Sequence, residues 1–64
     1  MGSVVEEIRE GLRLLSGNDE ASVKLWLRTP HPMLDGDVPQ ELINAGESEV
    51  VLAFVEHMLS GAPA

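Results

Sequence analysis

Apolar residues recur every three or four positions along most of this chain, which is the spacing of amphipathic α-helices. Within residues 3–17 one apolar stripe is formed by Val5, Ile8, Leu12 and Leu15. Ser3 followed three residues later by Glu6 is typical of a capping box, and Gly17 supplies a left-handed stop. The pattern therefore predicts a first helix over residues 3–17.

Gly11 interrupts this helix with a residue that weakens a helix interior by about 1 kcal/mol relative to alanine. We therefore predict that it marks a close contact with another helix. On the polar side, Glu6 with Arg9 and Glu10 with Arg13 have the i,i+3 spacing of neighbouring charges.

A second helix is predicted over residues 18–28, with Asn18 or Asp19 as its N-cap. Its apolar face consists of Val23, Trp26 and Leu27. The helix cannot continue past Arg28, because two prolines follow and each pushes the residue before it towards extended backbone. Residues 29–32 are therefore expected to be stiff without being helical.

A strong turn signal, Asp-Gly-Asp at 35–37, precedes a short third helix over residues 39–45. Pro39 fits its first position, and Gly46 would end it. The stretch 26–39, WLRTPHPMLDGDVP, is thus predicted to be a rigid Pro/Gly-rich connector that fixes the second and third helices; we call it the connector.

The last helix, over residues 47–61, is the most apolar part of the chain. Its stripe is formed by Val51, Val55 and Met58, and Leu52 and Leu59 broaden it. One small core does not need a helix with so much apolar surface, which indicates a subunit or partner interface. The fold class is therefore predicted to be all-α: one domain over residues 1–64, a small compact bundle of about four helices.

Charge restricts the classes of partner. The 64 residues carry 11 acidic and 4 basic side chains, for a formal net charge of -7. A nucleic-acid binder needs a basic footprint, so we expect no nucleic acid to bind this chain. No apolar run reaches the roughly 18 residues that span a bilayer, and cysteine is absent. A cytoplasmic protein without membrane contact and with a basic partner is the expectation.

The sequence lacks the patterns that carry catalysis or cofactor binding. Phosphate-binding glycine loops are absent, and the segment after Asp35 fails as a calcium loop because Gln40 stands where glycine is needed. His31 and His57 are isolated, and four short helices offer little volume for a serine triad. We predict no enzyme activity, no metal and no cofactor.

Two features of the connector have more than one interpretation. Trp26 is either a core anchor or a partner contact. The Pro-His-Pro segment around His31 either sets the angle between helices or is recognised by a partner, and both roles are compatible because a stiff loop loses little entropy when bound.

The spacing A-x(4)-WL-x-x-P-x-P-x-L-x-G-x-x-P-x-x-L resembles the toxin-binding domain of the Xre/MbcA/ParS antitoxins, the partners of RES-domain toxins. The matching positions are Ala21, Trp26, Leu27, Pro30, Pro32, Leu34, Gly36, Pro39 and Leu42. His31, Val38 and Ser48 depart from the family's usual asparagine, serine or threonine, and glycine. Many relatives also carry an N-terminal helix-turn-helix domain, so this chain is expected to be an excised domain or a short antitoxin without DNA binding.

The resemblance implies that the chain inhibits a toxin by occupying space at the toxin's active site. RES toxins are similar to ADP-ribosyltransferases and consume or transfer from NAD, and their antitoxins obstruct the NAD pocket with the C-terminal segment. By that analogy residues 58–64 would lie towards the toxin's cleft. The expected partner-binding residues are His31, Glu56, Met58, Gly61, Ala62, Pro63 and Ala64. A homodimer and a hetero-oligomer with the toxin both stay open.

Two other classes compete with this interpretation. A structural dimerisation domain would use the same surplus apolar surface. An acidic carrier protein would need Asp-Ser-Leu at a helix start, whereas Ser48 here lies between two glutamates. The carrier class is therefore the weaker alternative.

Overall fold

The first helix begins and ends where its capping residues predict. In the computed structural model, which describes residues 3–61, helix α1 runs Val4–Ser16. The Ser3 hydroxyl accepts a hydrogen bond from the backbone N–H of Glu6 at 3.1 Å. Gly17 follows in the left-handed region at φ 69°, where its N–H donates to the carbonyl of Arg13. Both predicted ends of α1 are confirmed.

Helix α2, Glu20–Arg28, is capped by Asp19, one of the two predicted residues. The Asp19 carboxylate accepts from the backbone N–H of Ala21 and from the Ser22 hydroxyl. The hydrogen bond from the Ser22 hydroxyl is the largest of the causes that lower the pKa of Asp19 below its ordinary value. The helix stops after Arg28 because Thr29 is extended, as predicted.

Between α2 and the third helix the chain forms a 3-10 turn, Pro32–Leu34, that the sequence reasoning missed. Thr29 and His31 are extended, as expected before proline, but the expectation that 29–32 is wholly non-helical is wrong at Pro32. Proline restricts the residue before it, yet its own fixed φ suits the first position of a helical turn. Asp35 ends the turn in a left-handed conformation, φ 56°.

Helices α3, Pro39–Asn44, and α4, Ser48–Leu59, complete the chain. α3 starts after Val38 without a side-chain cap, and Asp37 makes no compensating hydrogen bond. Pro39 has no N–H to satisfy at this position and is fully buried. Gly46, with φ 82°, separates the two helices. Over residues 3–61 the prediction of an all-α bundle of about four helices is confirmed.

The core lies where α4 packs against α1 and α3, and α2 closes it against α1 and α3. Its buried apolar side chains are Ile8, Leu12, Val23, Leu27, Leu34, Val51 and Val55. Leu15, predicted to belong to the α1 stripe, is instead 45% exposed. It lies in the last turn of α1 and lines an open hollow rather than the closed core.

The predicted contact at Gly11 is confirmed. A β-carbon built on Gly11 would lie 2.5 Å from Cγ1 of Val55 and 3.0 Å from Cδ1 of Leu59. Glycine thus lets α1 and α4 approach more closely than any other residue would allow.

Arg9 and Arg13 do not form the predicted ion pairs with the glutamates of their own helix. Arg9 and Arg13 turn to Glu20 at the start of α2, with N–O distances of 3.5 and 2.7 Å. The packing of α2 on α1 brings this carboxylate within reach, and sequence spacing within one helix cannot anticipate such a contact.

Candidate protein-interaction site

The connector is held by hydrogen bonds that converge on His31. Its carbonyl accepts from the backbone N–H groups of Leu34 and Gly36, both at 2.9 Å, and its own N–H donates to the carbonyl of Asp37 at 3.3 Å. The imidazole Nε2 lies 3.0 Å from the carbonyl oxygen of Trp26, and because that oxygen only accepts, Nε2 carries the proton. These bonds close the connector on itself.

An aromatic cluster fixes the connector to α4. The ring centroids of Trp26 and His31 are 4.5 Å apart, and those of Trp26 and Phe54 are 5.6 Å apart. His31 also meets Phe54 at 5.8 Å in an edge-on arrangement. Such pairs contribute about 0.5–1.5 kcal/mol beyond their buried area. The sequence reasoning did not assign a role to Phe54, since nothing in its own helix pattern points to the connector.

The nine motif positions divide into buried anchors and exposed positions that shape the backbone. Leu27, Leu34 and Pro39 are buried, whereas Trp26 and Leu42 are half-buried and pack on the core. The exposed positions are Ala21, Pro30, Pro32 and Gly36. Trp26 is therefore a core anchor along part of its ring.

The other face of Trp26 borders a hollow. This hollow, of about 210 Å³, lies between α1, α2 and the end of α4 and is lined mainly by Leu12, Leu15, Val23, Trp26 and Met58. The contact interpretation of Trp26 stays open alongside the anchor role.

The predicted partner-binding residues do not form one cluster. His31 belongs to the connector and reaches α4 at Phe54, whereas Glu56 projects from another side of α4, because successive helical residues turn by about 100°. Met58 lines the hollow next to Trp26. Gly61 lies past the end of α4 with φ 66°. The remaining predicted residues, Ala62, Pro63 and Ala64, lie outside the described residues.

A second depression, which we call the α1–α4 groove, has a volume of about 260 Å³. Its walls include Glu7, Glu10, Leu14, Leu52, Glu56 and Leu59. Glu56 was predicted from the sequence as a partner-binding residue, whereas the residues on the α1 side of the groove were not. One signal was available: Leu14 lies two positions after Leu12, so it cannot share the core stripe of α1.

No arginine or lysine among the described residues lines this groove, and its charged lining residues are Glu7, Glu10 and Glu56. Arg9, Lys24 and Arg28 border a different depression, which includes Leu27. Arg13 donates from Nε to Glu20, and this hydrogen bond is the largest cause that lowers the pKa of Glu20 below its ordinary value. The groove is thus lined by negative charge without positive charge.

The arrangement offers apolar hollows, a carboxylate rim and a rigid connector, which are means of binding another protein. Over residues 3–61 the helices are too short or too polar for any of them to cross a bilayer.

The chain matches no curated protein and no solved structure significantly. Residues 11–61 match the family described as the antitoxin Xre/MbcA/ParS C-terminal toxin-binding domain. The matched segment contains the connector, the aromatic cluster and all of α2, α3 and α4. This 64-residue chain belongs to the family of Xre/MbcA/ParS antitoxin C-terminal toxin-binding domains.

Proposed function

We propose that this chain neutralises a RES-domain toxin in the cytoplasm by binding beside its NAD pocket and obstructing it, without catalysis of its own. The observation that carries the proposal is the family match over residues 11–61, a family whose domain binds a toxin. We infer the class of toxin from the spacing of motif residues in the connector, because antitoxins that this spacing resembles are partners of RES-domain toxins.

The C-terminal end of the chain is the segment that we propose to enter the toxin's cleft. α4 ends at Leu59, and Gly61 follows in a left-handed turn that redirects the chain. The residues from Gly61 onward, Gly-Ala-Pro-Ala, have small side chains that fit a narrow groove. We propose that Glu56, which is exposed one turn before the end of α4, meets basic groups that hold the NAD phosphates.

The decisive measurement is NAD consumption by a cognate RES-domain toxin, for which the product of the adjacent gene is the first candidate to test, with and without the chain. We expect stoichiometric inhibition, loss of inhibition when residues 61–64 are deleted, and weaker, less salt-dependent binding for Glu56→Lys. Inhibition that survives the deletion would leave the antitoxin role standing and remove the role of the C-terminal end. Absence of both binding and inhibition would refute the proposal.

A second candidate function is assembly alone. The exposed leucines, Leu14 at 72% and Leu25 at 68%, favour contact with another protein surface without specifying a toxin. Sedimentation equilibrium distinguishes the two: an assembly domain forms a stable homo-oligomer and leaves the toxin active.

A further inference from the structure

We propose that the α1–α4 groove is the principal surface on which the toxin docks, and that it takes a segment of the toxin with an apolar side chain flanked by arginine or lysine. This inference deepens the proposed function and rests on it. It assigns binding to a face of the chain that lies outside the connector.

The walls of the groove are apolar where a partner would seat. Leu14 is 72% exposed and Leu59 is 43% exposed, and Leu52, which also lines the groove, is half-buried. Beneath these walls α1 and α4 are in close contact, because Gly11 has no side chain and packs directly on the buried Val55. The groove therefore presents leucine side chains to solvent, which a partner's apolar residue would cover.

Carboxylates border the leucines. Glu7 and Glu10 lie on the α1 side and Glu56 lies on the α4 side. In the described part of the chain both ion pairs are made by Glu20, so none of these three glutamates takes part in an ion pair. An apolar floor with an unpaired negative rim matches a partner segment with the opposite charge around an apolar residue.

The same charges argue against a second copy of this chain as the occupant. A two-fold dimer through this groove would place the same three glutamates against each other. Like charges facing one another in an interface are unfavourable. Charge would permit a different self-association, in which the groove of one copy contacts the depression bordered by Arg9, Lys24 and Arg28 on another. This head-to-tail contact is one outcome that the test distinguishes.

The groove is also continuous with the segment that we propose to enter the toxin's cleft. Leu59 lines the groove and lies two residues before Gly61. A toxin surface seated on the groove would therefore lie next to the chain's C-terminal end. Docking and obstruction would then use one continuous surface.

The test is the affinity of the wild-type chain and four variants for that candidate RES-domain toxin, measured by isothermal titration calorimetry. Leu14→Ala is matched by Leu25→Ala, an equally exposed helical leucine on α2. Glu7→Lys/Glu10→Lys is matched by Glu41→Lys/Glu49→Lys, outside the groove on α3 and α4, which changes the net charge by the same amount. Circular dichroism verifies that each variant keeps its helical content.

We expect Leu14→Ala to weaken binding about tenfold, as truncation of a central apolar contact does, and Leu25→Ala to leave it unchanged. The double charge reversal should weaken binding at low salt, and the difference from wild type should shrink at high salt. The control double reversal should have a much smaller effect.

The outcomes separate this inference from the proposed function. If the wild-type chain binds the toxin and Leu14→Ala and the double reversal bind equally well, the groove assignment is wrong and the antitoxin role stands. If the wild-type chain does not bind at all, both fall. If the wild-type chain self-associates and Leu14→Ala abolishes that instead, the groove is a contact between copies and the inference is overturned.

Discussion

At Gly11 the absence of a side chain decides how closely two helices pack. Val55, whose γ-carbon would meet the added methyl group, is fully buried and β-branched, so it has little freedom to rotate. Leu59 is exposed and can move aside. The clash at Val55 therefore determines what a larger residue costs.

We predict that Gly11→Ala destabilises the chain. Alanine gains about 1 kcal/mol in helix propensity, whereas overpacking a close contact costs about 1–3 kcal/mol. A net loss of about 1 kcal/mol should lower Tm by roughly 4–8 °C in a thermal melt.

The matched control is Gly11→Ala in a Val55→Ala background. There the offending γ-carbon is gone, so the added methyl group should stabilise the protein. Greater stability of the single variant than of wild type would contradict the packing argument.

At the scale of elements, α1 and α2 are joined by the carboxylate of Glu20. Its hydrogen bond from Arg13 lowers its pKa below the ordinary value of 4.5. A carboxyl group with a lower pKa in the folded state stabilises the fold above its unfolded pKa, and this contribution is lost as the pH falls through the folded pKa. The side chain is about half exposed, so solvent screens the pair.

We predict that Glu20→Gln lowers Tm slightly at neutral pH and that the difference from wild type disappears in acid, below the folded pKa of Glu20. Thermal melts across this range measure the difference. Glu41→Gln, on α3 and without an ion pair in the described residues, should show no such loss of Tm at neutral pH. If the difference in Tm between Glu20→Gln and wild type stays constant as the pH falls, the ion pair of Glu20 contributes nothing to stability.

Element boundaries were predictable because their signals are local. Ser3, Asp19 and Pro39 each act on backbone groups within three residues, so their effect can be derived from the sequence alone. The 3-10 turn at Pro32 was missed because a proline acts in two directions, and only its effect on the preceding residue was considered.

Contacts between elements were not predictable in the same way. The pairing of Arg13 with Glu20 and the meeting of His31 with Phe54 both depend on how the helices cross. The close contact at Gly11 was an exception. A glycine inside a helix indicates that another element packs closely there, but it does not indicate which residues that element contributes. The α1–α4 groove, which needs two helices at once, could be suspected only from the displaced Leu14.

At the scale of the whole molecule, seven excess negative charges lie within extents of 30 × 26 × 22 Å. At about 0.01 M salt the screening length is ~30 Å, so every charge acts on every other, whereas at about 0.15 M it is ~8 Å. Salt relieves this repulsion and also weakens the two exposed ion pairs of Glu20. The repulsion is the larger effect because exposed pairs contribute little.

We therefore predict that Tm rises when salt is increased over this range. Thermal melts in a NaCl series measure the rise. A charge-reduced variant, Glu41→Gln/Glu49→Gln, should show a smaller rise. A fall in Tm with salt would mean that the ion pairs outweigh the net charge.

The seven buried apolar side chains that hold the fold together also bear on how long the chain lasts. A core this small gives marginal stability, and proteolysis follows the population of opened molecules. A partner that binds only the folded chain stabilises it by about 2.7 kcal/mol when the partner's free concentration is a hundred times Kd, which lowers the opened population about a hundredfold. We therefore expect the chain to resist proteolysis longer in a complex than alone, so that its lifetime depends on the supply of its partner.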